Sequence, residues 1–203
     1  MRKQLAGTAL LTAAALFMVD FPLLEPSSVY QHQTVGNSQT TSVSLPEGQV
    51  PVTLVETIDG DTIKVLVMGK IENVRYLLVD TPESKKPGMC IQPYAREAFE
   101  RNNDLVQNGS LTLELEQGNT RDGYGRLLAY VYADGKSVQE TLLQEGLARV
   151  GYILNPPYKY LKLYKDDENL ARRSQINIWS RSGFVTKWGF DGCESWLGED
   201  GKY

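Results

Sequence analysis

Hydrophobic and polar residues alternate in short runs through the middle of the chain. One run begins at Val52, a second covers residues 62–68, and a third, rich in branched side chains, covers residues 71–79. Alternation with a period of two is typical of strands that bury one face, and Gly69 separates the second run from the third. The pattern therefore predicts a three-stranded meander.

The residues that follow predict three helices and two more strands. Apolar residues at helical spacing precede Asn108-Gly109, a usual helix ending, and Ser137 with Glu140 forms a capping box. The predicted limits are a helix over 93–107, strands over 111–115 and 127–132, a helix from Ser137 to Gly146 and a helix from Pro157 to about Gln175. Five strands with a helix between the third and the fourth are typical of the OB-fold, a partly open Greek-key barrel. The predicted fold class is α+β, rich in β-barrel, with about three helices packed beside five strands.

The first residues have the pattern of an export signal. Arg2 and Lys3 precede an uncharged, mostly apolar run over residues 5–19. As a helix this run is about 22 Å long, shorter than the roughly 30 Å hydrocarbon core of a bilayer. Residues 1–25 are therefore predicted to be a signal peptide or a retained membrane anchor. Both place the protein outside the cell, secreted or on the extracellular face of the membrane.

The remaining chain predicts one globular domain with flanking segments. Residues 26–48 are rich in Ser, Thr, Gln and Asn and predict a flexible spacer. The folded domain is predicted over residues 49–181, and residues 182–203 form a C-terminal tail. A chain of 203 residues has room for one such domain.

The charge balance limits how the protein can bind a polyanion. The chain has 21 basic and 25 acidic residues, a net charge of −4, which disfavours a generic basic patch for nucleic acid. Attraction to a phosphate chain would come from a few placed arginines and a bound cation. The single histidine, His32, lies in the polar spacer, so histidine acid/base catalysis is excluded.

Carboxylates cluster where predicted strands end. Asp61 follows an Asp-Gly turn, while Asp80 and Glu83 flank Thr81-Pro82. Strand ends can meet at one mouth of a barrel, and oxygen ligands without histidine or cysteine suit Ca²⁺ or Mg²⁺ rather than zinc. An isolated Asp-Gly-Asp more often forms a simple turn than a metal site.

Three segments resemble the staphylococcal thermonuclease family. They are Ile-Asp-Gly-Asp-Thr at 58–62, Arg-Tyr-Leu-Leu-Val-Asp-Thr-Pro-Glu at 75–83 and Asp-Gly-Tyr-Gly-Arg at 122–126. Their order and spacing also match, and the resemblance extends roughly from Val52 to Ser180. It implies a Ca²⁺ site that uses the side chains of Asp61 and Asp80 and the carbonyl of Thr81.

The same resemblance implies the catalytic roles. Arg75 and Arg126 would hold the phosphate, a task that suits a planar, permanently charged guanidinium. Glu83 would position or deprotonate the attacking water, and the residues leave open whether it is a true general base. The implied reaction is calcium-dependent endonucleolytic hydrolysis of DNA and RNA that leaves 3′-phosphate ends.

Two tyrosines resemble substrate contacts of the family. Tyr124 would hydrogen-bond a terminal phosphate, and Tyr152 would contact a base. Gly123 stands where the best-known relative has lysine, and Leu154 stands where it has a second tyrosine. We therefore expect weaker phosphate and base contacts but the same reaction.

Other functions remain open at this point. The domain would be a binding module for nucleic acid or protein if it were catalytically inactive, or a cell-surface interaction protein if the anchor and spacer mattered most. The sequence gives no indication of a protein partner, and a monomer is expected.

Cys90 and Cys193 are the only cysteines. Because the N-terminus indicates an oxidising exterior, we predict that they form a disulfide that fastens the tail near the active-site loop. The alternative is a pair of free thiols.

Overall fold

The computed structural model describes residues 48–84, 87–118 and 120–194. The predicted signal peptide or anchor, nearly all of the spacer, and residues 195–203 of the tail lie outside the described residues. Within the described part of the chain, no helix is long and apolar enough to cross a membrane.

The described residues form ten strands, three α-helices and one 3-10 helix. The strands are β1 Gln49–Thr57, β2 Thr62–Val67, β3 Lys70–Tyr76, β4 Val79–Asp80, β5 Leu111–Glu114, β6 Leu127–Ala133, β7 Lys136–Ser137, β8 Arg149–Val150, β9 Val185–Thr186 and β10 Gly189–Phe190. The helices are α1 Ala95–Gln107, α2 Val138–Gln144 and α3 Leu161–Ser174, and the 3-10 helix is Asn177–Trp179.

Five of the strands close into a barrel. They lie in the order β3-β2-β1-β5-β6 within a sheet that β7 extends beyond β6, and a parallel pairing of β3 with β6 closes the barrel. Arg75 lies opposite Leu128 in that pairing. Inward-facing residues from these strands are almost fully buried, among them Ile63, Val65, Val74, Leu113, Ala129 and Val131. The predicted α+β OB-fold barrel with three helices is confirmed.

The predicted third strand is interrupted, which corrects its predicted end at Val79. The chain turns at Leu78, whose φ is 65°, and the two-residue strand β4 then pairs antiparallel with β8 instead of continuing along β2. Leu77 and Leu78 are both buried although the chain turns there, so hydrophobicity alone does not reveal the turn. The turn places Asp80 beside Arg149.

The third helix begins later than Pro157. The Lys159 amide donates to the Glu116 carboxylate at 3.0 Å, which holds the segment before the helix on another part of the chain. The regular helix starts at Leu161 and ends at Ser174, where Gln175 adopts the left-handed conformation usual at helix ends. The capping box at the second helix is present, because Ser137 Oγ accepts from the Glu140 amide at 3.2 Å.

The described part of the tail forms a hairpin, which the sequence analysis did not predict. Strands β9 and β10 pair antiparallel, and Phe184 just before them is buried. Cys90 and Cys193 are bonded, with their Cα atoms 5.6 Å apart, as predicted. The tail is thereby fixed to the loop between β4 and α1.

Candidate active site

Asp61 is held by the turn that follows β1. The Asp59 carboxylate accepts from the Asp61 amide at 3.0 Å, a local bond of the Asx-turn kind. Gly60 passes so close to Thr81 that an added Cβ would lie 2.6 Å from the Thr81 hydroxyl. Asp61 Oδ2 accepts from both the amide of Thr81, at 2.9 Å, and its hydroxyl, at 3.1 Å. Two predicted metal ligands are therefore in direct contact.

Asp80 is fixed from the other side by an arginine that sequence analysis missed. Arg149 approaches Asp80 Oδ2 through Nε at 2.9 Å and Nη2 at 2.8 Å. The two residues are neighbours in the β4–β8 pairing, although 69 positions separate them in sequence. Two-residue strands give no periodic signal, so no sequence pattern marks Arg149 as part of this site.

Arg75 joins the two carboxylates. Its Nη1 lies 3.0 Å from Asp61 Oδ2, and its Nη2 lies 3.6 Å from Asp80 Oδ1. Nη1 also donates to the Val79 carbonyl at 2.9 Å, and the side chain is buried. The ring of Tyr152 lies over the guanidinium, 5.0 Å from Cζ to the ring centre. The structure thus brings four predicted site residues, Asp61, Asp80, Thr81 and Arg75, to one end of the barrel with Tyr152 beside them.

Burial and mutual repulsion act on the carboxylates of this group. Burial, together with the nearby Asp61 carboxylate, raises the pKa of Asp80 to about 6, although Arg149 and Arg75 act in the opposite direction. Burial and Asp61 likewise raise the pKa of Asp59 to about 7. Closely spaced carboxylates disfavour each other's ionised forms, and a divalent cation among them relieves that repulsion.

The donors fit a hard cation. Asp61 and Asp80 offer carboxylate oxygens and Thr81 offers a carbonyl oxygen, which is the ligand chemistry of Ca²⁺ or Mg²⁺. Among the described residues, no group of three or more His, Cys, Asp or Glu side chains is arranged to hold a metal ion. The predicted site needs only two such side chains, because a carbonyl, water and substrate phosphate supply the remaining oxygens.

Glu83 lies two residues beyond Thr81 and is half-buried. Its amide donates to Oε1 of Gln92 at 2.8 Å, and its carbonyl accepts from the Gln92 amide at 3.0 Å. Both backbone groups of Glu83 are therefore held by Gln92, a buried residue that sequence analysis did not identify.

Arg126 and Tyr124 form a second group on the loop before β6. Arg126 Nε donates to Asp122 Oδ2 at 2.7 Å, and the Tyr124 ring, 89% exposed, lies 5.6 Å from the Arg126 guanidinium. Arg126 lies two residues before Leu128, the residue that pairs with Arg75 between β3 and β6. The ion pair and the ring contact of Arg126 both lie within its own loop.

Gly123 and Leu154, the two positions that differ from the best-known relative, both face open space. A Cβ at Gly123 would meet nothing within 4 Å, and Gly123 does not have a positive φ. Leu154 is mostly exposed, two residues beyond Tyr152. The structure leaves room at both positions for the larger polar side chains that the family resemblance implies.

Comparison with known proteins agrees with this geometry. A family model described as staphylococcal nuclease homologue matches residues 73–181. Endonuclease YncB of Bacillus subtilis (strain 168) is 60% identical over 144 residues, which are 71% of this chain and 68% of that protein. The SPbeta prophage-derived endonuclease YokF of the same strain is 58% identical over 144 residues, 71% of this chain and 49% of that protein. The thermonuclease of Staphylococcus hyicus is 31% identical over 178 residues, 88% of this chain and 99% of that protein. These matches support nuclease activity, and the chain belongs to the staphylococcal nuclease family.

Proposed function

We propose that this chain is a calcium-dependent endonuclease that hydrolyses the phosphodiester bonds of DNA and RNA and leaves 3′-phosphate ends. The observation that carries the proposal is the contact of one buried arginine, Arg75, with both Asp61 and Asp80. This contact supports the proposal, because phosphodiester hydrolysis needs a cation and a guanidinium close to the same phosphate.

In this proposal Asp61, Asp80 and the Thr81 carbonyl hold Ca²⁺. When bound, the ion would supply a fixed positive charge for polarising phosphate oxygen and water. Arg75 and Arg126 donate to the phosphate oxygens that gain negative charge in the transition state. Arg126 would exchange its bond to Asp122 for one to the substrate.

Glu83 orients the attacking water and accepts its proton as the water oxygen bonds to phosphorus. The bond from phosphorus to the 5′ oxygen breaks, and that oxygen takes a proton from solvent. The phosphate stays on the 3′ side. Fixing both backbone groups of Glu83 through Gln92 restricts where its carboxylate can reach, which suits a residue that must meet a water molecule in one place.

The alternative of an inactive binding module is disfavoured by the residues present. Asp61, Asp80, Arg75, Arg126 and Glu83 are all retained, and Arg75 contacts both Asp61 and Asp80. A module that only binds nucleic acid has no need for buried carboxylates, which repel phosphate.

The test is digestion of DNA and RNA by purified protein with Ca²⁺ or with excess chelator, followed by end-group analysis. We expect cleavage of both polymers with Ca²⁺, none with chelator, and 3′-phosphate products. Asp61→Asn is the matched control, because it keeps the size of the side chain and removes its charge. Cleavage that persists in excess chelator would rule out the metal assignment, and 5′-phosphate products would rule out the proposed bond scission.

A further inference from the structure

The tail is joined to the active-site loop by more than the disulfide. Beside the bond from Cys90 to Cys193, the Glu194 amide donates to the Ile91 carbonyl at 2.7 Å. The buried ring of Phe184 lies 5.9 Å from the ring of Tyr94, centre to centre. The hairpin of β9 and β10, residues 185–190, is therefore held against the segment that follows Glu83.

One hairpin residue, Phe190, contacts Gln92, the residue that holds the backbone of Glu83. The Phe190 carbonyl accepts from Gln92 Nε2 at 3.0 Å. Oε1 of the same Gln92 side chain accepts from the backbone amide of Glu83 at 2.8 Å. The orientation of the Gln92 side chain, and with it the bond to Glu83, is thus set by a carbonyl of the tail.

Phe190 also contacts Arg149, the residue that holds the carboxylate of Asp80. Its ring lies 5.7 Å from the Cζ atom of Arg149, which approaches Asp80 through two nitrogen atoms. A second ring, that of Phe184, packs on Phe190 at 5.3 Å between centres. An aromatic face over a guanidinium attracts the cation and excludes water from one of its sides.

We propose that Phe190, carried by the disulfide-fastened hairpin, is a positioning residue for this active site. Its carbonyl fixes the loop of Glu83 through Gln92, and its ring fixes Arg149 against Asp80. This inference rests on the proposed nuclease function, because it assigns the tail a part in the same reaction.

Phe190 can affect catalysis because losing either its carbonyl or its ring would loosen a residue of the site. Without the Phe190 carbonyl, the buried Gln92 amide has an unsatisfied donor and gains by rotating towards water, which breaks its bond to Glu83. Without the Phe190 ring, water reaches Arg149 and weakens its hold on Asp80 through the higher local dielectric. Displacement of supporting residues of this kind typically lowers activity by about 10- to 100-fold.

The first experiment compares Phe190→Leu with Phe190→Tyr. Leu removes the ring and keeps the carbonyl, whereas Tyr keeps both. We expect Phe190→Leu to lower kcat by about 10-fold with less than about a 2-fold change in KM, and Phe190→Tyr to retain the wild-type kcat. Kinetics are measured with saturating Ca²⁺ at a temperature at which circular dichroism shows every variant fully folded. Wild-type kcat in Phe190→Leu, or equal losses in both variants, would overturn the role of the ring.

The second experiment releases the hairpin without changing Phe190. The variant Cys90→Ser/Cys193→Ser should also lose kcat with little change in KM. Trp188→Ala, on the exposed turn of the same hairpin, is the control and should keep wild-type kinetics. If Phe190→Leu does not fold, the double serine variant decides the question, and unchanged kcat in it would overturn the inference. An inactive wild-type protein would contradict the proposed function itself, a result distinct from both.

Discussion

Arg149 holds one oxygen of Asp80 through two nitrogen atoms, at 2.9 Å and 2.8 Å, and so fixes a carboxylate that Arg75 contacts from the other side. Replacing Arg149 by Met should lower kcat by about 10- to 100-fold, because Asp80 loses the donor that orients it. Ca²⁺ binding should persist, since removal of a nearby positive charge favours a bound cation. Steady-state kinetics at saturating Ca²⁺ and calorimetric titration of Ca²⁺ measure the two effects.

Arg149→Lys is the matched control for that prediction. Lysine keeps the charge but lacks the forked geometry, so its kcat should fall between those of the wild type and Arg149→Met. Wild-type kcat in Arg149→Met would show that Asp80 does not depend on Arg149.

Gly60→Ala should disturb the active site by displacing Thr81 and Asp61. An added Cβ would lie 2.6 Å from the Thr81 hydroxyl and 2.9 Å from Ala98 Cβ, so Thr81 and Asp61 must move apart. We expect a loss of roughly 1–3 kcal/mol in the free energy of unfolding, the usual cost of overpacking, and a marked loss of activity. Gly123→Ala is the control, because its Cβ would meet nothing within 4 Å. Equal stability of the two variants in urea titrations would contradict this account.

The two arginines proposed to bind phosphate should respond differently to substitution. Arg75→Ala and Arg126→Ala should each lose about 10²- to 10⁵-fold in turnover. Arg75 also has a structural part, because its removal takes away the buried positive charge that contacts both Asp61 and Asp80. Arg75→Ala should therefore also be destabilised by about 3 kcal/mol in the absence of Ca²⁺. Arg126→Ala, whose side chain is about one third exposed, should remain near wild-type stability. Thermal unfolding with and without Ca²⁺ separates the loss of stability from the loss of catalysis.

The barrel was predictable because its strands bury one face, so that hydrophobic and polar residues alternate in the sequence. Alternation around residues 62–68 and the capping box at Ser137 each point to one element. The turn at Leu78 was not predictable, since Leu77 and Leu78 are both buried although the chain turns there. The tail hairpin escaped prediction for a related reason, because two-residue strands are too short to show any period.

The candidate site was predictable only where its residues lie in characteristic segments. Asp61, Arg75 and Asp80 belong to two such segments, and the structure brings them into contact, while their catalytic roles stay predictions. Arg149 and Gln92 act through partners that are distant in sequence or buried, and no pattern around either residue reveals the contact. Tertiary pairing, rather than local sequence, determines both.

Gly123→Lys should tighten substrate binding. Sequence alone left open whether Gly123 needs a positive φ, which would make lysine strained. The structure answers that question, because Gly123 has neither a positive φ nor a neighbour within 4 Å of its Cβ position. KM for DNA should therefore fall while kcat changes little, and the fall should shrink as salt is raised. Gly123→Gln has a similar reach without the charge and should leave KM near the wild-type value. An equal fall in KM with glutamine would show that charge is not the cause.

The disulfide should contribute a large share of the stability of the domain. Cys90 and Cys193 are 103 positions apart, and in the chain-entropy model closing a loop of about 100 residues stabilises the fold by roughly 4–5 kcal/mol. That amount is comparable to much of the 5–15 kcal/mol that typically separates folded from unfolded domains. Cys90→Ser and the double variant Cys90→Ser/Cys193→Ser should lose equal stability in urea titrations, because either change removes the same single bond. Mass spectrometry of unreduced protein should show a linked peptide pair and a mass two hydrogen atoms lower than that of the reduced chain. Two thiols open to alkylation in freshly isolated protein would contradict the bond, and a single-site variant markedly more stable than the double variant would show that the free cysteine contributes by packing rather than by cross-linking.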